Sequence, residues 1–224
     1  MISPYEIDNW SVVLGDRALH SALNKERSRQ NNQTVNITDY QKKNLLEALE
    51  FVKIFNLAID AGANYGLMSF NLNERFNEVH SFEVDDNVRN CFKENVHKFN
   101  LNRITVHDCG LSDKEELVSL TYNKNTFGTS INKLKEGSFV CRTIDSFNFQ
   151  DLNFLKIDCE GYEPFIIRGG ENTIKKFRPV ILMEDKNLSR RYYGTEGNLS
   201  VDILKSWGYS IKIGYSKECI LVSE

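Results

Sequence analysis

The spacing of apolar positions changes character near residue 51. Before it, Leu14, Ala18, Leu19, Ala22 and Leu23 recur at helical spacing, which predicts one helix from about residue 8 to 27. Ser28 to Asn36 is polar and unpatterned and reads as a loop. Thr38 stands where an N-cap belongs, ahead of a second helix carrying Leu45, Leu46 and Leu49. These residues offer too little apolar surface to fold alone. Residues 1–51 are therefore expected to be a helical extension or lid that packs on a main domain at 52–224.

From Lys53 onward, short apolar runs alternate with helical patterns. The strands expected are Lys53–Asp60, Glu78–Glu83, Arg103–His107, Phe154–Asp158 and Pro179–Met183. Between and after them fall helices at Leu67–Phe76, Asn87–Phe99, Glu163–Lys176 (interrupted at Gly169-Gly170) and Leu199–Trp207. Leu117–Tyr122 and Ser138–Thr143 read as extended pieces outside this succession, and Tyr209–Gly214 with Cys219–Val222 as a closing hairpin. Such a βαβα order implies an α/β fold, a mostly parallel sheet with helices on both faces, to which the hairpin adds one antiparallel strand.

With 41% hydrophobic and 26% charged residues, the composition excludes disorder for most of the chain. The longest apolar run is only a few residues, so no membrane-spanning helix is expected, and no basic-then-apolar leader opens the sequence. The five cysteines are odd in number, widely spaced and without a C-x-x-C pair. They suggest neither a disulfide framework nor a zinc site, and a reducing, cytoplasmic compartment fits them best. A net charge of -3 argues against a nucleic-acid partner held through its phosphates.

The chemistry concentrates at strand ends. Asp60-Ala-Gly62-Ala-Asn64-Tyr-Gly66 follows the first strand of the succession and opens a helix. Gly62 and Gly66 suit a tight turn and a close backbone approach to a ligand. The acid at Asp60 would repel a pyrophosphate but suits a cationic ligand such as S-adenosylmethionine. Glu83 ends the next strand, 21 residues after Gly62, where a carboxylate can accept hydrogen bonds from ribose hydroxyls. After the third strand, Asp108 is placed to bond an adenine amino group and the backbone of Cys109 to touch the ring, whereas His107 reads as a packed strand-end histidine. In Leu155-Lys-Ile-Asp158-Cys-Glu160, alternation puts Lys156 and Asp158 on one side of a strand, with Glu160 at its exit. Met183-Glu-Asp-Lys-Asn187 should sit beside them as a wall of an acceptor site.

These residues together resemble the FkbM family of S-adenosylmethionine-dependent methyltransferases. The resemblance runs from about Asn56 to the C-terminus through Asp60–Gly66, Phe82-Glu83, Leu111-Ser-Asp113, Thr143-Ile-Asp-Ser146, Leu155–Glu163, Gly169-Gly170, Arg178-Pro179 and Gly208-Tyr209. Val84 stands where that family usually has a proline. The resemblance implies a class I methyltransferase fold (Rossmann-like, mostly parallel and seven-stranded, with a C-terminal antiparallel hairpin). It further implies S-adenosyl-L-methionine as cofactor and methyl transfer to a hydroxyl of a sugar, glycan or other small metabolite. The cofactor candidates are Asp60, Gly62, Asn64, Gly66, Glu83, Asp108 and Cys109; the catalytic candidates are Asp158 as general base, Glu160 as its second, and Lys156 as the group that tunes the carboxylate.

Other assignments use the same residues. Asp158, Glu184 and Asp185 suit a Mg²⁺ site, so the metal requirement stays open. Asp158, Lys186 and Glu218 stand near strand ends where RNA 2′-O-methyltransferases carry a lysine–aspartate–lysine–glutamate tetrad. A nicotinamide-dependent oxidoreductase and a non-catalytic binding module complete the alternatives. The polar stretch Thr121–Leu134, with Phe127 and Ser130, reads as a loop of the acceptor pocket. Oligomeric state is not legible in the sequence.

Overall fold

The structure is a computed structural model that describes residues 4–7, 9–14, 19, 36–122, 129–132, 137–184, 186, 188–196, 198–214 and 218–223. It opens with two antiparallel strands, β1 (Pro4–Ile7) and β2 (Trp10–Val13). The helix expected over 8–27 is therefore corrected at its start, where Trp10 and Val12 are buried and Leu14 is exposed. Residues 15–18 and 20–27 lie outside the described residues. Next come a 3-10 turn at Ile37–Asp39 and helix α1 (Lys42–Leu49). Thr38 lies within that turn, and Gln41 is the residue that precedes α1. Of the leucines expected on its apolar face, Leu45 and Leu49 are buried and Leu46 is exposed.

The alternating part follows: β3 (Leu57–Ala61), α2 (Leu67–Asn73), β4 (Glu78–Phe82), α3 (Asp86–Lys98) and β5 (Ile104–His107). Short strands β6 (Gly110–Leu111), β7 (Glu116–Tyr122), β8 (Thr129–Asn132) and β9 (Phe139–Arg142) form a separate four-stranded sheet. Part of the expected loop at 121–134 is thus strand, with Ser130 paired to Thr121, while Phe127 lies outside the described residues. The chain returns through β10 (Phe154–Ile157), α4 (Glu163–Gly169), α5 (Glu171–Phe177), β11 (Val180–Glu184), α6 (Leu188–Tyr193), α7 (Leu199–Ser206), β12 (Tyr209–Gly214) and β13 (Glu218–Ser223).

Seven strands form the main sheet in the order β12-β13-β11-β10-β3-β4-β5. β11, β10, β3, β4 and β5 are mutually parallel, and β13 runs antiparallel to both β11 and β12. Because every residue of β3 is buried, its two faces serve two cores. Leu57, Ile59 and Ala61 pack with Ile157, Ile167 and Leu204 on one face; Ala58 packs with Leu45, Leu72, Phe154 and Ile220 on the other. Leu45 places α1 within the second core. Trp10 of the N-terminal pair packs against Phe99, the rings tilted by 34° with centroids 4.9 Å apart. Residues before 52 are thus packed on the sheet domain at several points.

Candidate active site

The parallel strands end at one edge of the sheet. Chain order reverses between β3 and β10, and in such sheets a crevice for ligands opens there, beyond the carboxyl ends. The turn after β3 is tied to its neighbour, because Gly62 N and Ala63 N both donate to Phe82 O at 3.0 Å. Gly62, Asn64 and Gly66 have φ of 77°, 52° and 90°. The structure places a packing demand on both glycines. A Cβ on Gly62 would lie 2.0 Å from Asp158 O, and one on Gly66 2.1 Å from the Phe92 ring. Their missing side chains make room for the exit of β10 and for α3. Asn64 contributes its left-handed backbone, and its Oδ1 accepts from Tyr65 N at 2.7 Å.

Asp60, expected to face a cationic ligand, is turned inward. Its side chain is fully buried, accepts from Ser69 Oγ at 2.6 Å and lies 3.0 Å from Lys156 Nζ. Lys156 is buried too and donates to Gly62 O at 2.8 Å. Burial alone would lower the lysine pKa, but the charges of Asp60 and Asp158 hold it above its ordinary value. The pair therefore stitches β10 to the glycine turn, with the negative charge of Asp60 already met.

Glu83 does face the turn. Its Oε2 accepts from Asn64 N at 2.9 Å and its Oε1 from Asp85 N at 3.0 Å. Each oxygen keeps acceptor capacity beyond that bond, which suits a vicinal diol. Burial pushes the Glu83 pKa up, opposed by the two backbone donors. Asp108 is largely exposed and bonded through Oδ1 to Arg89 Nε at 3.2 Å and to Lys93. Cys109 is buried, and burial pushes its thiol pKa up. His107 is packed: its ring stacks on Phe82 at 4.3 Å and its Nε2 meets His80 Nδ1 at 2.9 Å. Arg89 and Lys93 escaped sequence reasoning, although two basic residues four apart on a helix are a legible signal.

A polar cluster lies at the exits of β10 and β11. Ligand atoms of Asp158, Glu160 and Glu184 all fall within 4.8 Å of one another. Lys186 Nζ stands 2.6 Å from Glu184 and 3.4 Å from Glu160, so an ammonium already supplies positive charge to two of the three acids. Of the Mg²⁺ ligands considered above, Asp185 lies outside the described residues. Burial and the neighbouring Asp158 charge raise the Glu184 pKa. Burial acts in the same sense on Asp158, yet Lys156, a hydrogen bond with Glu184, Lys186 and Gln41 together bring it below the usual carboxylate value. The two carboxyls titrate as a pair, with Asp158 drawn toward the ionised form and Glu184 toward the protonated one.

Residues ahead of the sheet domain complete this cluster. The Gln41 side chain hydrogen-bonds Asp158. Asn44 Nδ2 donates to Glu218, whose pKa burial raises. Tyr40 is pushed up to about 12 by burial and by the Asp158 and Glu184 charges. No periodicity could have flagged Tyr40, Gln41 or Asn44, since their significance comes from the fold bringing a distant segment to the β10 exit.

A mostly parallel seven-stranded sheet in this order, with acids around the crevice, defines a class I methyltransferase architecture. The chain belongs to the FkbM family: the model of the methyltransferase FkbM domain matches residues 60–211, more than half of it. Among solved structures, the FkbM methyltransferase of Methylobacillus flagellatus KT aligns with a TM-score of 0.57 at 19% identity. That alignment covers 75% of this chain and 44% of the other, so the chain spans less than half the length of that relative. A Streptococcus mutans protein assigned as a methyltransferase, solved with S-adenosylhomocysteine, aligns at 0.52 with 11% identity over 80% of this chain and 94% of its own. A Clostridium thermocellum protein assigned as an rRNA methylase aligns at 0.50 with 10% identity over 85% and 99%. At these identities the likeness establishes the fold. A search of curated proteins returned no match.

Proposed function

We propose that this protein is an S-adenosyl-L-methionine-dependent O-methyltransferase acting on a hydroxyl of a sugar or other small metabolite. The observation that carries the reading is the close approach of the glycine turn to the Asp158 backbone: the turn after β3 and the acids at the exit of β10 stand side by side at the carboxyl end of the sheet. Glu83 and Asp108 supply acceptors suited to the ribose and adenine of the cofactor, and surrounding acids suit its positive charge. When bound, that cofactor supplies a methyl group on a sulfonium, already a good leaving group.

The chain's own contribution is position and a proton acceptor. The charges of Lys156 and Lys186 and a hydrogen bond with Gln41 favour the carboxylate form of Asp158. An acceptor hydroxyl against Asp158 loses its proton to that carboxylate as the oxygen is methylated. Tyr40, Gln41, Glu160 and Glu184 give a hydroxyl-rich acceptor further partners, while the excess of acids disfavours an anionic one. Among the described residues no helix is long and apolar enough to cross a membrane, and the five free thiols accord with the cytoplasm.

One observation favours a second reading: Asp158, Lys186 and Glu218 lie within electrostatic reach of one another, as the RNA 2′-O-methyltransferase tetrad requires. Lys156, buried against Asp60, does not offer the tetrad's remaining lysine to solvent. Incubation with methyl-labelled S-adenosylmethionine and panels of sugars, polyols and RNA separates the two. Label in an O-methyl ether of a sugar or polyol is the expected product; label in RNA alone would transfer the assignment.

A further inference from the structure

Arg89 projects from α3 with only 9% of its side chain exposed. A guanidinium so enclosed needs partners for its fork, and these come from two loops and from the first residue of α3 itself. Nη1 donates to Glu83 O at 2.6 Å and to Val84 O at 3.3 Å. Nη2 pairs with Asp86, and Nε donates to Asp108 Oδ1 at 3.2 Å. Lys93, one helical turn further along α3, pairs with the same Oδ1. One planar cation thus bridges the loop leaving β4 to the loop leaving β5.

Two consequences follow for the acids on those loops. Glu83 is fixed at both ends, its carbonyl by Arg89 and its carboxylate oxygens by Asn64 N and Asp85 N. Asp108, whose side chain is 69% exposed, would otherwise rotate freely. With both cations on Oδ1, its rotation is set, and none of the described hydrogen bonds or ion pairs uses Oδ2. A carboxylate fixed by one oxygen presents the other as a directed acceptor.

We propose that Arg89 is a positioning residue for the adenosine half of the cofactor: it sets Glu83 to receive the ribose diol and aims Asp108 Oδ2 at the 6-amino edge of the purine. The proposal rests on the S-adenosylmethionine reading given above. Arg89 touches neither the reacting atoms nor the methyl acceptor, so its effect belongs to cofactor affinity and base selectivity.

Calorimetric titration of the full chain with S-adenosylhomocysteine and with S-inosylhomocysteine, which carries a 6-oxo group in place of the amine, tests this. The wild type is expected to prefer the amino ligand by about tenfold or more, because a 6-oxo group sets acceptor against acceptor. Arg89→Met is expected to weaken S-adenosylhomocysteine binding about tenfold and to shrink the preference to about two- to threefold; Arg89→Lys, which keeps charge but not the fork, should fall between. A purely structural role would weaken both ligands by one factor and leave the preference intact, and that result overturns the proposal. Lys93→Met, at a half-exposed side chain, checks the Asp108 arm without disturbing the β4 loop. It should lower the preference while the melting temperature holds. Should Arg89→Met fail to fold, an unchanged preference in Lys93→Met overturns the proposal. A wild type that binds no S-adenosylhomocysteine overturns the cofactor reading and the proposal with it. A wild type that binds it, with preference unmoved in the variants, removes the proposal alone.

Discussion

Lys156 Nζ lies 3.0 Å from Asp60 Oδ1, and both side chains are buried. The pair joins β10 to β3 at register partners, and the same ammonium caps Gly62 O. Lys156→Met would leave a buried carboxylate without its counter-charge, a change that typically costs about 3–5 kcal/mol. Adding Asp60→Asn to that variant should recover much of the loss. Denaturant unfolding of both single variants and the double measures the coupling; strictly additive losses would contradict a paired role.

The glycines of the turn should differ sharply from a glycine elsewhere with similar backbone angles. Gly62→Ala combines a left-handed backbone with a Cβ 2.0 Å from Asp158 O, for an expected loss of about 2–5 kcal/mol. Gly194 has φ of 67° and nothing within 4 Å, so Gly194→Ala should cost only about 1 kcal/mol. Thermal unfolding of the two variants gives the comparison, and equal losses would show that the Asp158 contact carries no energy.

Much of this arrangement is legible in the sequence because strands buried on both faces leave near-continuous apolar runs. Phe154–Ile157 and Val180–Glu184 announce themselves that way, and the acids at their ends follow from position. The N-terminal segment misleads because its decisive partner is remote. Asn95 accepts from Ser11 N at 2.7 Å and donates to Ser11 O at 3.1 Å, so an amide from α3 satisfies the backbone of β2. No local pattern shows that, and the leucine spacing around Leu14 and Leu19 suggests a helix instead. Glu83, singled out by its distance from the glycine turn, does reach that turn through Asn64 N. Asp60 is found at the right place with the wrong partner, because charge alone does not reveal which way a strand-end side chain turns.

Glu163 predicts a pH-dependent stability. Its Oε1 accepts from Cys159 N at 3.1 Å and Gly161 N at 3.0 Å, yet burial outweighs these donors and raises its pKa from 4.5 to about 7. A carboxyl raised in the folded state favours folding fully below the unfolded value and loses that contribution as pH rises through the folded one. Glu163→Gln keeps the accepting oxygen and never ionises. It should match the wild type near pH 4.5 and exceed it by on the order of 2 kcal/mol above pH 7. Unfolding free energies of both proteins across that range decide it; a gap that is constant with pH would remove the explanation.

Asp158 should separate chemistry from cofactor binding. Asp158→Asn removes the proposed proton acceptor while keeping its size, so turnover with an accepted hydroxyl substrate should fall by about 10²–10⁴. Affinity for S-adenosylhomocysteine should change by no more than a few-fold. A variant that turns over at the wild-type rate would place the base elsewhere in the cluster.

The most direct measurement is calorimetric titration of the full chain with S-adenosylhomocysteine and with NAD, repeated on Glu83→Ala. The wild type should bind the first at one site and ignore the second. Glu83→Ala, which lacks the carboxylate proposed to accept from the ribose diol, should bind about ten- to a hundredfold more weakly. Silence of the wild type toward S-adenosylhomocysteine, or unaltered binding by Glu83→Ala, would contradict the account.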